Sequence, residues 1–184
     1  MRLKHLLLVA AAAVVGAQAD WSVIMGELAR SHAPAGGVDR KDVVSGHMSV
    51  VDGDTLIGDA GRHRIRLFGI DAPESAQTCL DDKGQRYLCG TRAAEALATL
   101  LGRNGLVDCT IRDTDHYQRL VADCTTSGGV DLNREMVRSG WALDYAQYSR
   151  GRFAPEQREA QIEKRGLWAG TFEAPARWRA ENAH

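Results

Sequence analysis

Between Asp52 and Glu74 the chain reads Asp52-Gly-Asp-Thr-Leu-Ile-Gly-Asp-Ala-Gly-Arg-His-Arg-Ile-Arg-Leu-Phe-Gly-Ile-Asp-Ala-Pro-Glu74. Three of its acids, Asp54, Asp71 and Glu74, are interleaved with one arginine, Arg66. Carboxylates supplemented by a backbone carbonyl make the oxygen-rich shell that a hard cation such as calcium prefers. A further carboxylate can take a proton from water. A guanidinium offers a planar fork matched to two oxygens of one phosphate. That is an inventory for cleaving phosphodiesters.

The elements that must position these groups are legible in the same run. Asp52-Gly53 is a turn dipeptide, Gly58 to Gly61 is a second turn, and His63 to Phe68 alternates polar and apolar residues with the period of a strand. Two strands therefore form a short antiparallel hairpin. On its second strand Ile65 and Leu67 share one face, while Arg64, Arg66 and Phe68 share the other. Folding the hairpin brings Asp54 beside Asp71. Pro73 fixes its own φ and biases Ala72 toward extended backbone, so Glu74 leaves at a defined angle.

Asp52-Gly-Asp-Thr, then Arg66-Leu-Phe-Gly-Ile-Asp-Ala-Pro-Glu74, then Asp115-His-Tyr-Gln-Arg119 resembles the staphylococcal nuclease (thermonuclease) family over roughly residues 43 to 170. The resemblance implies that Asp54 and Asp71 are calcium carboxylates and that the Ala72 carbonyl is a backbone ligand. It implies Arg66 and Arg119 as the phosphate-binding arginines and Glu74 as the general base. Tyr145 or Tyr148 matches the family's aromatic position against the nucleotide, where stacking needs no sequence preference. Position 72 is Ala where the best-known member has Thr, and Tyr117-Gln118-Arg119 replaces the usual Tyr-Gly-Arg.

The rest of the chain sets the context. Residues 1 to 19 have a basic start, an apolar run from Leu6 to Val15 and Ala17-Gln18-Ala19, the pattern of a signal peptide cleaved on export. An uncleaved segment holding the protein to the membrane is the alternative. The protein is thus expected in the periplasm or secreted. Residues 20 to 42 read as a lead-in, 43 to 170 as the nuclease-like domain and 171 to 184 as a tail. Formal charge is -1, and without Arg2 and Lys4 there remain 21 bases against 24 acids, or -3. A protein gripping many phosphates shows a basic excess, so this one grips few, within a small cleft that focuses positive potential locally. Nothing implies a stable protein partner, and a monomer acting on DNA or RNA is expected.

The even cysteine set in an exported chain argues for disulfides. Cys79 and Cys89 flank a polar loop, and Cys109 and Cys124 lie on two alternating runs, so the pairs are 79 with 89 and 109 with 124. A four-cysteine zinc site is the rival, disfavoured by the absence of Cys-x-x-Cys, and the absence of His-Glu-x-x-His disfavours a histidine-bound metal. Helical periodicity from Thr91 stops at Gly102, Asp131 caps a helix through Ser139, and Pro155 opens a last one. The fold class is α+β, mainly β: a five-stranded OB-type antiparallel barrel with about three helices, the topology coming mostly from the resemblance. The function this implies is calcium-dependent phosphodiester hydrolysis leaving 3′-phosphates. The competing reading is a binding module of the cell envelope, associated with nucleic acid or polysaccharide, that uses the same barrel without chemistry.

Overall fold

The structure, a computed structural model, describes residues 43 to 58 and 61 to 182. The expected signal segment and lead-in, residues 1 to 42, lie outside the described residues. Five strands close a barrel in the order β1-β2-β3-β8-β7. They are β1 (Val43–Asp52), β2 (Thr55–Gly58), β3 (His63–Leu67), β7 (Leu106–Thr114) and β8 (Leu120–Thr126). Two short pairs lie outside it, β4 (Ile70–Asp71) with β9 (Leu143–Asp144), and β5 (Thr78–Leu80) with β6 (Arg86–Leu88).

The expected five-stranded OB-type barrel is therefore present, but it is mixed rather than antiparallel throughout. β3 and β8 run parallel, with Ile65 opposite Leu120, Arg66 opposite Val121 and Leu67 opposite Ala122. The reason is parity. Strand direction must alternate around an all-antiparallel ring, and an odd number of strands cannot alternate and close. One parallel seam is the minimum, and it falls where the long crossover through α1 (Cys89–Leu101) separates β3 from β7. Parallel strands need such a crossover, whereas tight hairpins join β2 to β3 and β7 to β8.

Helix α1 presents Ala93, Leu97 and Leu101 to the core at helical spacing and stops at Gly102, whose φ of 74° an L side chain rarely adopts. Asp131 caps α2 (Leu132–Arg138), its carboxylate accepting the Arg134 backbone N–H at 3.0 Å. Leu132, Met136 and Val137 from α2 are fully buried in one apolar core with Leu56, Ile65 and Leu67 of the barrel. Beyond the expected helices, the described residues include α3 (Ala146–Ser149) between β9 and α4 (Ala154–Ile162). Residues 171 to 184, expected as a tail, carry α5 (Pro175–Glu181). Thr171 and Leu80 exchange backbone hydrogen bonds at 2.9 and 3.0 Å and tie this segment to β5.

Both expected disulfides form, Cys79 with Cys89 and Cys109 with Cys124. The second joins residues directly opposite each other on β7 and β8. The first, with Leu167, anchors a small apolar cluster under the β5–β6 hairpin, the run expected as a polar loop. Each contributes about 2–4 kcal/mol, mainly by restricting the unfolded chain.

Asn133 secures the parallel seam from the helix side. Wholly buried, it donates to the Phe68 and Ala122 carbonyls at 3.0 and 3.1 Å and accepts the Cys124 N–H at 2.9 Å. A side-chain amide meets two acceptors and a donor at once, which no apolar residue of that size can do. Asn133→Ala removes the side-chain partner of three buried backbone groups and is expected to cost about 2–4 kcal/mol, read as a lower urea midpoint at unchanged slope.

Candidate functional site

The hairpin puts the two aspartates together. Asp54 precedes β2, held by its N–H donating to Asp52 Oδ1 at 3.1 Å, and Thr55 pairs with Arg66 across the hairpin. Asp54 Oδ2 accepts the Ala72 N–H at 3.3 Å, which places the carboxylate against the residue after Asp71. Both aspartates are buried. Arg66 joins them: its Nη1 donates to Asp54 Oδ1 at 3.1 Å, and its Nη2 lies 2.8 Å from Asp54 Oδ2 and 3.2 Å from Asp71 Oδ1. The fork expected to face a phosphate thus spends two nitrogens on carboxylates, although Arg66 still lines the cleft.

Burial pushes the Asp54 carboxyl up to about 7, against the opposing pull of Arg66. Arg66 divides its donors between Asp54 and Asp71, so it offsets the burial of Asp54 only in part. Among the described residues no group of three or more His, Cys, Asp and Glu side chains is arranged around a metal position. Two converging all-oxygen carboxylates still fit a hard cation that takes its remaining ligands from carbonyl and water. Asp54, Asp71 and the Ala72 carbonyl are the groups that would hold it.

Glu74 reaches the cleft on a turn closed by the Gln77 N–H donating to the Glu74 carbonyl at 2.8 Å. Gln77, wholly buried, accepts the Glu74 N–H at 3.3 Å and donates to the Glu173 carbonyl at 2.7 Å. From the segment so tied, α5 extends Arg179 back into the site. Its Nη1 is 2.8 Å from Asp71 Oδ1 and 3.0 Å from Glu74 Oε1. Desolvation alone would lower the Arg179 pKa, but the bonds to Asp71 and Glu74 outweigh it and raise it.

Arg119 enters from the β7–β8 turn. Asp115 Oδ1 accepts the N–H groups of Tyr117 and Arg119 at 2.9 Å each, and its Oδ2 accepts Arg119 Nε at 2.7 Å. Burial would raise the Asp115 carboxyl, but these bonds win and hold it below its ordinary value. The Tyr117 ring packs 5.4 Å from the Arg119 guanidinium. Gln118 takes φ 62°, the left-handed region that a glycine adopts without penalty. The substitution therefore keeps the turn that delivers Arg119 and charges it to backbone strain.

Arg66, Glu74 and Arg119 share one cleft of about 580 Å³ with Tyr145, Tyr148 and Arg179. The register explains why. Arg119 lies two residues before Val121, the parallel partner of Arg66, so both arginines stand on the same face of the seam. Tyr145 and Tyr148 meet edge to face at 4.9 Å, and both line the cleft. Sequence reading missed Arg179, Gln77 and the cleft-lining Tyr117. Arg179 and Gln77 carry no local motif; Tyr117 sat inside the quoted Asp115 to Arg119 run and could have been singled out there.

Two substitutions test this framework through stability. A Cβ on Gly90, the second residue of α1, would lie 1.8 Å from the Glu74 carbonyl oxygen. Helix propensity alone favours Gly90→Ala by up to about 1 kcal/mol, yet the clash predicts a loss of about 1–3 kcal/mol in a denaturant melt. Gln118→Gly should have the opposite sign, a gain of about 0.5–1 kcal/mol, being left-handed strain removed less the entropy glycine adds to the unfolded chain.

A model of the family described as "Staphylococcal nuclease homologue" matches residues 64–170. "Succinoglycan biosynthesis protein ExoI" of Rhizobium meliloti (strain 1021) is 36% identical over 125 residues, covering 68% of this chain and 64% of its own length. "Probable staphylococcal-like nuclease CAN1" of Oryza sativa subsp. japonica is 32% identical over 83% of this chain, which spans 43% of it. An "Uncharacterized endonuclease" of Escherichia coli O157:H7 is 35% identical over 129 residues, 68% of this chain and 77% of that protein. With the barrel, the hairpin aspartates and the two seam arginines in place, the chain belongs to the staphylococcal nuclease homologue family.

Proposed function

We propose that this protein is an exported, calcium-dependent nuclease that hydrolyses phosphodiester bonds of DNA, RNA or both and acts as a monomer. The observation that carries this reading is the convergence of Arg66, Glu74 and Arg119 on one cleft, with Asp54 and Asp71 buried directly behind Arg66. Family membership supports the reaction class. The signal-like residues 1 to 19 and the two disulfides support export, since such bonds persist in oxidising compartments.

Calcium held by Asp54, Asp71 and the Ala72 carbonyl would supply charge neutralisation at a phosphate oxygen. The chain's own groups do the rest. Glu74 orients a water and takes its proton at a carboxylate oxygen as the water oxygen bonds to phosphorus. The bond from phosphorus to the 5′-oxygen breaks, that oxygen acquires a proton from solvent, and a 3′-phosphate remains. Arg66 and Arg119 bind the non-bridging oxygens as their charge grows, and because Asp115 fixes Arg119 in advance little reorganisation is left for the moment of reaction. Tyr145 and Tyr148 offer faces for the flanking bases. Polysaccharide association, suggested by the name of the Rhizobium relative, is the second reading and requires no cleavage of nucleic acid.

Plasmid degradation with calcium discriminates the two. Chelator should abolish cleavage and added calcium restore it; cleavage in excess chelator would take the metal out of the mechanism. Glu74→Gln is expected to lower turnover by about 10²–10⁴-fold while leaving the melting temperature near that of the parent. An equal rate for parent and variant would remove Glu74 as base. Arg66→Ala should cost about 10²–10³-fold, the usual loss for one preorganised donor to a developing oxyanion.

A further inference from the structure

Helix α5 brings to the cleft a guanidinium that the mechanism above leaves unassigned. We propose that Arg179 is a positioning residue for Glu74, an inference that rests on the nuclease reading: a single nitrogen bridges Glu74 to Asp71 and so fixes the direction from which Glu74 meets the attacking water. Two carboxylates placed this close repel, and Glu74, one-third exposed on a turn, has other rotamers open to it. Arg179 Nη1, at 3.0 Å from Glu74 Oε1 and 2.8 Å from Asp71 Oδ1, converts that repulsion into a shared contact. Arg66 is bonded to Asp54 and Asp71, so the guanidinium bonded to Glu74 is the one from α5.

The anchoring of α5 fits this role. Gln77 bonds the backbone on both sides, the Glu74 N–H and the Glu173 carbonyl, so the turn that carries Glu74 and the segment that carries Arg179 are referenced to one buried amide. The Leu80–Thr171 backbone pair fixes the start of the segment. Arg177, bonded to Glu173 and Glu181, braces the outer face of the same helix and does not line the cleft. A helix serving only as cover would not need a cation aimed at the proposed base.

The test uses the full chain and a fluorophore-quencher oligodeoxynucleotide with calcium. Arg179→Ala should lower kcat by about 10²-fold, the loss that accompanies a small misplacement of a reacting group, with KM nearly unchanged. Free guanidinium chloride should restore a large part of the lost kcat where sodium chloride of equal ionic strength does not. Arg179→Lys should fall between Ala and parent, because an ammonium supplies the charge but not the planar fork. Arg177→Ala should match the parent, and calorimetric titration should show Arg179→Ala still binding calcium. Parent kcat in Arg179→Ala, a rise in kcat, a loss carried in KM, a loss indifferent to guanidinium, or a loss of calcium binding would each overturn the assignment. So would a parent protein with no calcium-dependent cleavage, and that result alone would also remove the nuclease reading.

Discussion

The structure turns on one buried contact, the Arg66 guanidinium held between Asp54 and Asp71. Two carboxylates removed from water in one place cost several kcal/mol each unless positive charge is brought to them. Arg66 bonds both and Arg179 adds a second cation to Asp71, while burial still pushes the Asp54 carboxyl up to about 7. The surrounding architecture serves this site. The β2–β3 hairpin sets Arg66 level with Thr55, next to Asp54, and β4 follows directly with Asp71, held in place by pairing with β9. A barrel keeps these short elements in fixed register, where an open sheet would let a strand slip and invert every side chain.

The parallel seam extends the same logic to the second arginine. Because β8 runs alongside β3 in the same direction, residues entering β8 and residues midway along β3 point into a common cleft. Arg119 reaches it at the cost of a left-handed Gln118, and Asp115 holds the turn with three bonds to its own neighbours. Strain at such a position persists only where the surrounding structure over-determines it, which these three bonds and the β7–β8 ladder do.

What the sequence disclosed follows from how local each signal is. Asp54, Arg66, Asp71 and Glu74 lie within one hairpin and its exit, so turn residues and strand alternation were enough to bring them together. The disulfides were legible because Cys79 and Cys89 bracket one loop and Cys109 and Cys124 lie on runs that had to be neighbours. The parallel seam follows from ring parity, which five strands impose whatever their sequence. Arg179 and Gln77 were beyond reach. Their partners are 105 and 96 residues away along the chain, and no local motif ties the stretch expected as a tail to the site.

The charge of the chain and the charge of its cleft are separate quantities. A net -1 argues against broad electrostatic capture of a polyanion, yet the cleft collects Arg66, Arg119 and Arg179. Each is tied to at least one carboxylate, Arg66 to Asp54, Arg119 to Asp115 and Arg179 to Glu74. Such pairing lowers the long-range pull on a phosphate and at the same time freezes the guanidinium geometry. In the proposed reaction, weak capture with fixed donors would place the binding energy late, where charge develops on the oxygens, and that is the division between ground state and transition state that raises turnover. A surface of unpaired, mobile lysines would invert it, giving tight binding of any polyanion and little preference for the reacting one.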